Sequence, residues 1–254
     1  MKYPKFFCAF LISGIFLTRA FAAPSASEIV EKVKARSAQA APEKNSFTYQ
    51  RVSRTDYLDE NEQVKRSSVR VYEVAPIDGE PVSKLVQVNG HPPKKDPPRS
   101  AAREAGDKSR NLALGEDLLT RYQYEFRGEE VIAGRNAWVL AFKPKPGAPE
   151  DGFLDKLVNA MRGTIWVDQE EHEFSKVDIH LSKKLSFFGL LGGIEKLDLQ
   201  MVQKRLNSEA WLTETLTLDF IGRKLFTPIR FRCVENCSDF KKVTPSSQPV
   251  ASLH

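Results

Sequence analysis

The sequence has little of what catalysis and metal binding usually require. It holds four histidines, and one of them, His254, is the last residue. His91 lies in a proline-rich stretch, while His172 and His180 stand eight positions apart in or beside a strand. No third ligand sits at a spacing that would complete a metal site. There is no G-x-S-x-G elbow and no phosphate-cradling glycine loop. Gly189, Gly192 and Gly193 precede strand-like sequence rather than a helix, which excludes a dinucleotide fingerprint. Carboxylates are plentiful, but none is singled out as half of a glycosidase pair. Asp168-Gln169-Glu170-Glu171 reads as a solvated hairpin turn. A hydrolase would need a site assembled from distant strands, and the sequence predicts no enzyme, no metal and no cofactor.

Long apolar runs are equally scarce. The run from Phe6 to Leu17 follows a basic Lys2 and Lys5 and precedes Ala20-Phe21-Ala22. It is shorter than the roughly 20 residues that span a bilayer. This order predicts a cleavable secretory leader over residues 1–22. Cys8 stands too early in the run to be a lipidation cysteine. Loss of Lys2, Lys5 and Arg19 with the leader lowers the formal charge from +5 to +2. That is no electrostatic footprint for nucleic acid. The remaining cysteines, Cys233 and Cys237, form a close pair in a chain bound for an oxidising compartment, and the sequence predicts a local disulfide between them.

What is present is strand-like patterning. A helix is expected over 26–39, with Ser27 as N-cap and Ile29, Val30 and Val33 as its apolar stripe. Strands follow over 47–55, 64–74 and 82–88, the last ending at Asn89-Gly90, a tight-turn signal. Residues 91–110 form a Pro-rich and charged insert that leads into a helix near 99–120. From Tyr122 the pattern is mostly alternating strands, interrupted by a Pro/Gly-rich loop at 144–152 and a short helix from Phe153. A disordered tail is expected over 243–254. Consecutive strands joined by turns predict an antiparallel sheet with one apolar side. The two helices can cover only part of it.

Two apolar features are candidates for function. Ser186 to Ile194 places Phe187, Phe188, Leu190 and Leu191 in a glycine-rich connection, where a loop is ordinarily polar. The segment is either core folded under the sheet or a mobile lip at the mouth of an apolar cleft. Trp138, Leu140, Phe142 and Trp166 lie in strands, where such side chains serve as core, as ligand lining, or as both.

Several stretches together resemble the LolA/LolB-like superfamily of periplasmic lipoprotein-sorting and carrier proteins. They are the opening helix from Ser27 with the strand holding Phe47 and Tyr49, and Tyr124-Glu125-Phe126 with Gly134 to Pro144. Gly163 to Gln169, the F-F-G-L-L-G-G segment, and the strands around Trp211 and Pro228 to Phe231 complete the set. The resemblance implies a mainly β fold with α: a curved antiparallel incomplete β-barrel wrapped around one or more helices, as a single domain over 23–242. It implies a soluble periplasmic protein that holds a lipid or lipoprotein acyl chain, as carrier or sensor. Trp138, Leu140, Phe142, Trp166, Phe187, Phe188, Leu190 and Leu191 would line the site. An envelope or membrane protein is a further partner. The competing reading is an envelope structural or protein-binding module with a filled core.

Overall fold

Ser25 begins the first helix with a reciprocal cap. Its Oγ accepts from the Glu28 N–H at 3.3 Å, and its own N–H donates to the Glu28 carboxylate at 2.7 Å. This capping box satisfies two donors that a helix start leaves open. It places the cap two residues before the expected Ser27. Helix α1 runs Ala26–Lys44, with Pro42 inside its final turn and Asn45 as C-cap. The computed structural model describes residues 24–94, 116–187, 192–206, 210–225 and 227–243. The predicted leader, most of the 91–110 insert, Phe188, Leu190, Leu191 and nearly all of the tail lie outside the described residues, as do most of the helix expected near 99–120 and the side chain of Phe187.

The strands are β1 Phe47–Leu58, β2 Val64–Ile77, β3 Glu80–Val88, β4 Tyr122–Ile132, β5 Arg135–Pro144 and β6 Met161–Asp168. They continue with β7 Phe174–Leu181, β8 Leu185–Phe187, β9 Gly192–Leu206, β10 Ala210–Lys224 and β11 Thr227–Lys242. Two short helices, α2 Glu116–Arg121 and α3 Phe153–Ala160, precede β4 and β6. All eleven strands form one antiparallel sheet in the order β3-β2-β1-β11-β10-β9-β7-β6-β5-β4, with β8 beside β9.

This sheet corrects the barrel implied by the resemblance. It ends at β3 and β4, which do not pair, and it is neither closed nor strongly curled. Both edges carry features that oppose pairing. In β4 there is a register shift between Phe126 and Gly128, and an exposed Glu125–Arg127 ion pair. Strand β3 opens with Glu80-Pro81, and proline offers no N–H to a neighbour.

The expected disulfide is also absent. Cys233 and Cys237 are not bridged to each other and lie on one continuous stretch of β11, paired opposite Thr55 and Arg51. Four residues of extended strand separate their Cα atoms by about 13 Å. A disulfide tolerates no more than about 7 Å. The spacing that suggested a staple becomes a separation once the segment is a straight strand. Unfolding the mature protein without reductant should therefore expose two titratable thiols, and reductant should leave Tm unchanged.

Helix α1 buries Ile29, Val30 and Val33 against the sheet. Full burial contributes about 1.5–3 kcal/mol per side chain of this size. The β6–β7 turn locks the helix in place. Glu173, 1% exposed, pairs with Lys44 at 2.7 Å and Arg36 at 3.2 Å, both from α1. Asp168, also 1% exposed, accepts two hydrogen bonds from Arg135 at 2.6 and 2.9 Å, and others from the N–H groups of Glu170 and Glu171. Burial pushes the Asp168 carboxyl up, but these donors and the Arg135 charge outweigh it and hold the group below its ordinary range. Glu171 pairs with Arg205 and accepts from Trp211 Nε1 at 2.6 Å. The turn that reads as solvated is thus an ionic brace joining α1, β5, β9 and β10.

Candidate binding face

Directly paired residues of antiparallel strands share a face. One row can be followed through eight strands: Leu140, Ile165, Val177, Met201, Leu216, Glu235, Ser53 and Arg70. From Leu140 to Leu216 every member is apolar and at most 6% exposed. From Glu235 onward every member is polar. The change falls between β10 and β11; α1 packs on β10 and on β4.

The apolar half is a packed core. Trp138, Leu140 and Phe142 project from β5 into the cluster that contains Ile29, Val30 and Val33 of α1. Trp138 is stacked with His172 at 5.7 Å and has Lys32 Nζ 5.6 Å from its ring. Burial and the Lys32 charge push the His172 imidazole down, and Asp168 opposes them. Phe142 packs edge-on to Tyr122 at 4.9 Å.

Trp166 does not join these three. It pairs opposite Val139 and sits on the reverse side of the sheet with Ala137 and Val139. Its Nε1 donates to Glu130 at 2.8 Å, and Lys176 Nζ lies 4.2 Å from its ring. Strand parity explains the separation, because Trp138 and Trp166 stand opposite partners of different parity. That register is a property of pairing, and no alternation within either strand reveals it.

The half on β11, β1, β2 and β3 is mixed: Val74 and Leu85 are buried there opposite Tyr49 and Tyr72, beside polar side chains that the sequence did not single out. Arg51, Ser53 and Glu235 are all at least nine-tenths buried. Arg51 donates to Ser83 Oγ at 3.3 Å and lies 4.7 Å from the Tyr72 ring. Its Nε is buried without a hydrogen-bond partner. Ser53 Oγ and Cys233 Sγ approach to 3.5 Å. Two side-chain levels along the strands, a half-buried aromatic ladder crosses the same side. Phe220 stacks on Phe231 at 5.1 Å, Phe231 meets Tyr57 at 6.4 Å, and Arg66 caps Tyr57 at 4.3 Å. A weak signal for this ladder was present in the alternation of Leu216, Leu218 and Phe220.

Among the described residues, no group of three or more His, Cys, Asp or Glu side chains is placed to hold a metal ion. No described helix is long and apolar enough to cross a membrane. The arrangement offers hydrogen bonding, guanidinium groups and aromatic surface rather than a nucleophile with its base.

No protein-family model and no curated protein matches this chain by sequence. Solved structures do match. The chain is structurally similar to LolA-superfamily and MucB proteins, at low identity over most of its length. A candidate outer membrane lipoprotein-sorting domain from Vibrio parahaemolyticus is 15% identical, with 86% of this chain and 94% of that one covered and a TM-score of 0.42. A LolA-superfamily protein from Nitrosomonas europaea is 15% identical, with coverages of 87% and 94% and a TM-score of 0.36. The MucA/MucB complex of Pseudomonas aeruginosa matches at 9% identity, coverages of 86% and 99%, and a TM-score of 0.26.

Proposed function

We propose that this protein is an exported, non-catalytic binding module of the cell envelope that takes a protein partner on the β11-β1-β2 side of its sheet. The observation that carries this reading is the switch from apolar to polar beyond β10 in the row that runs from Leu140 to Arg70. An acyl chain gains by burying methylene groups and has nothing to offer Arg66 or Arg70, the arginines exposed on this side. A polypeptide supplies both carbonyl and carboxylate acceptors for the arginines and side chains for the Tyr57–Phe231–Phe220 ladder. Aromatic and arginine side chains are also the groups on which protein interfaces concentrate their binding energy. An acyl chain seated against Trp138, Leu140 and Phe142 would first require α1 to move aside, because α1 fills that side of β5.

A benzophenone amino acid placed at Phe231 keeps a ring in the ladder and reports its neighbours. Irradiation in the native envelope is expected to yield a protein adduct at position 231. The same probe at Thr217, on the reverse side of β10, is expected to yield none. A lipid adduct at 231, or equal adducts at both positions, would refute the proposal.

A further inference from the structure

The apolar side chains left exposed are not scattered. Among the described residues six large apolar side chains are exposed, and four of them, Val64, Phe153, Leu154 and Leu225, stand at one end of the sheet. This is the end where β5 leads through α3 into β6 and where β10 turns into β11. Phe153 and Leu154, 47% and 49% exposed, form the first turn of α3. The rest of that short helix is anchored. Leu157 and Val158 pack on the core cluster. Tyr122 Oη donates to the Val158 carbonyl at 2.8 Å, Arg121 pairs with Asp155 at 2.6 Å, and Ser182 donates to the Ala160 carbonyl at 2.7 Å. Phe153 and Leu154 are thus each about half exposed on a braced helix. Exposure by chain mobility would need no such bracing.

The surrounding charge identifies the occupant. Among the described residues Lys145, Lys156, Lys183 and Lys224 are exposed at this end and hold no ion pair. Lys183 and Lys184 follow directly on Ser182, the residue bonded to the end of α3. The opposing exposed acids beside α3 are Glu150 and Asp151. The β1–β2 turn carries Asp59, Glu60 and Glu62, which confines the basic surface to the α3 side of this end. Exposed Phe and Leu within a lysine fringe suit an interface in which apolar groups enter below a layer of negative headgroups.

We propose that this end of the molecule docks reversibly on an anionic lipid surface, with Phe153 and Leu154 inserted and Lys156 and Lys183 at the headgroups. The site lies apart from the β11-β1-β2 side and does not depend on the protein-binding reading.

The mature full chain would be floated with phosphatidylethanolamine–phosphatidylglycerol vesicles and, separately, with phosphatidylcholine vesicles. The wild type is expected to bind the anionic vesicles and to lose binding as salt is raised. Phe153→Ser with Leu154→Ser should weaken that binding by about tenfold or more, given the apolar area withdrawn. Lys156→Glu with Lys183→Glu should weaken it on anionic vesicles only. Both pairs of positions are exposed, so an unchanged thermal melt will show that each variant is folded. No wild-type binding, equal binding by the serine variant, or equal binding to both vesicle types would overturn the proposal. So would capture of a protein through Phe153 and Leu154 without vesicle binding. Failure of the crosslink at position 231 would leave these outcomes unaffected.

Discussion

Replacing Arg135 by alanine is expected to cost about 3–5 kcal/mol, the scale for stranding one partner of a buried ion pair. For a chain of this size that is a fall in Tm of roughly 10 °C. The carboxylate of Asp168 is 1% exposed, and it accepts two charge-assisted hydrogen bonds from this guanidinium. Without it, only the N–H groups of the turn remain. The same arginine also reaches Glu170 and lies 5.8 Å from the Trp211 ring, so its loss loosens the brace toward β10 as well.

The pH dependence supplies a sign test. A carboxylate whose folded pKa is depressed contributes stability above its unfolded pKa, and loses it as pH falls through the folded value. In the wild type the Asp168 contribution is complete at neutral pH. It should decline below about pH 4, the ordinary aspartate range. In Arg135→Ala the buried carboxylate has lost its counter-charge, so protonation should relieve part of the defect and narrow the gap to wild type in acid. Asp168→Asn in the Arg135→Ala background should recover stability at neutral pH. Equal melting curves for wild type and Arg135→Ala would show that the brace is dispensable.

The second large effect is expected at Gly163. A Cβ built there would fall on the carbonyl oxygen of Asp178 and lie 2.8 Å from the Phe142 ring. The ring of Phe142 occupies the space that glycine leaves and supports Tyr122, whose hydroxyl pins α3. Gly163→Ala should therefore cost at least the roughly 1–3 kcal/mol typical of overpacking, because the main obstacle is backbone and cannot rotate away. Phe142→Leu in the same chain should recover only the part due to the ring. Urea denaturation of the single and double variants separates the two contributions. A Gly163→Ala protein as stable as the wild type would mean that β6 and β7 can move apart at no cost.

Both positions show where sequence reading stops. Gly163 is one of 14 glycines and carries no local mark of its role. Its importance comes from the register that sets it beside Phe142 and Ile179. Asp168 to Glu171 looks like a solvated turn because four polar residues in a row ordinarily face water. Arg135, Arg205 and Trp211, which bury two of them, arrive from strands distant in sequence. The two cysteines misled for a related reason. Spacing along the chain is not distance, and a straight strand carries i and i+4 well apart.

Composition and periodicity did determine much about this protein. The basic, apolar and small residues of 1–22 predict export. The alternation at Trp138-Leu140-Phe142, at Val177-Ile179-Leu181 and at Leu216-Leu218-Phe220 predicts strands with one apolar side, since a period of two is local to each strand. The tertiary structure decided the rest. It set the order of the strands, left the sheet open at β3 and β4, and put Trp166 behind the sheet rather than beside Trp138. It also ended the apolar row at β10, so that polar residues on β11 and β1 continue the same row. Each of these is a matter of which strands pair and in what register. That is fixed by contacts summed over the whole sheet, and no single segment contains it.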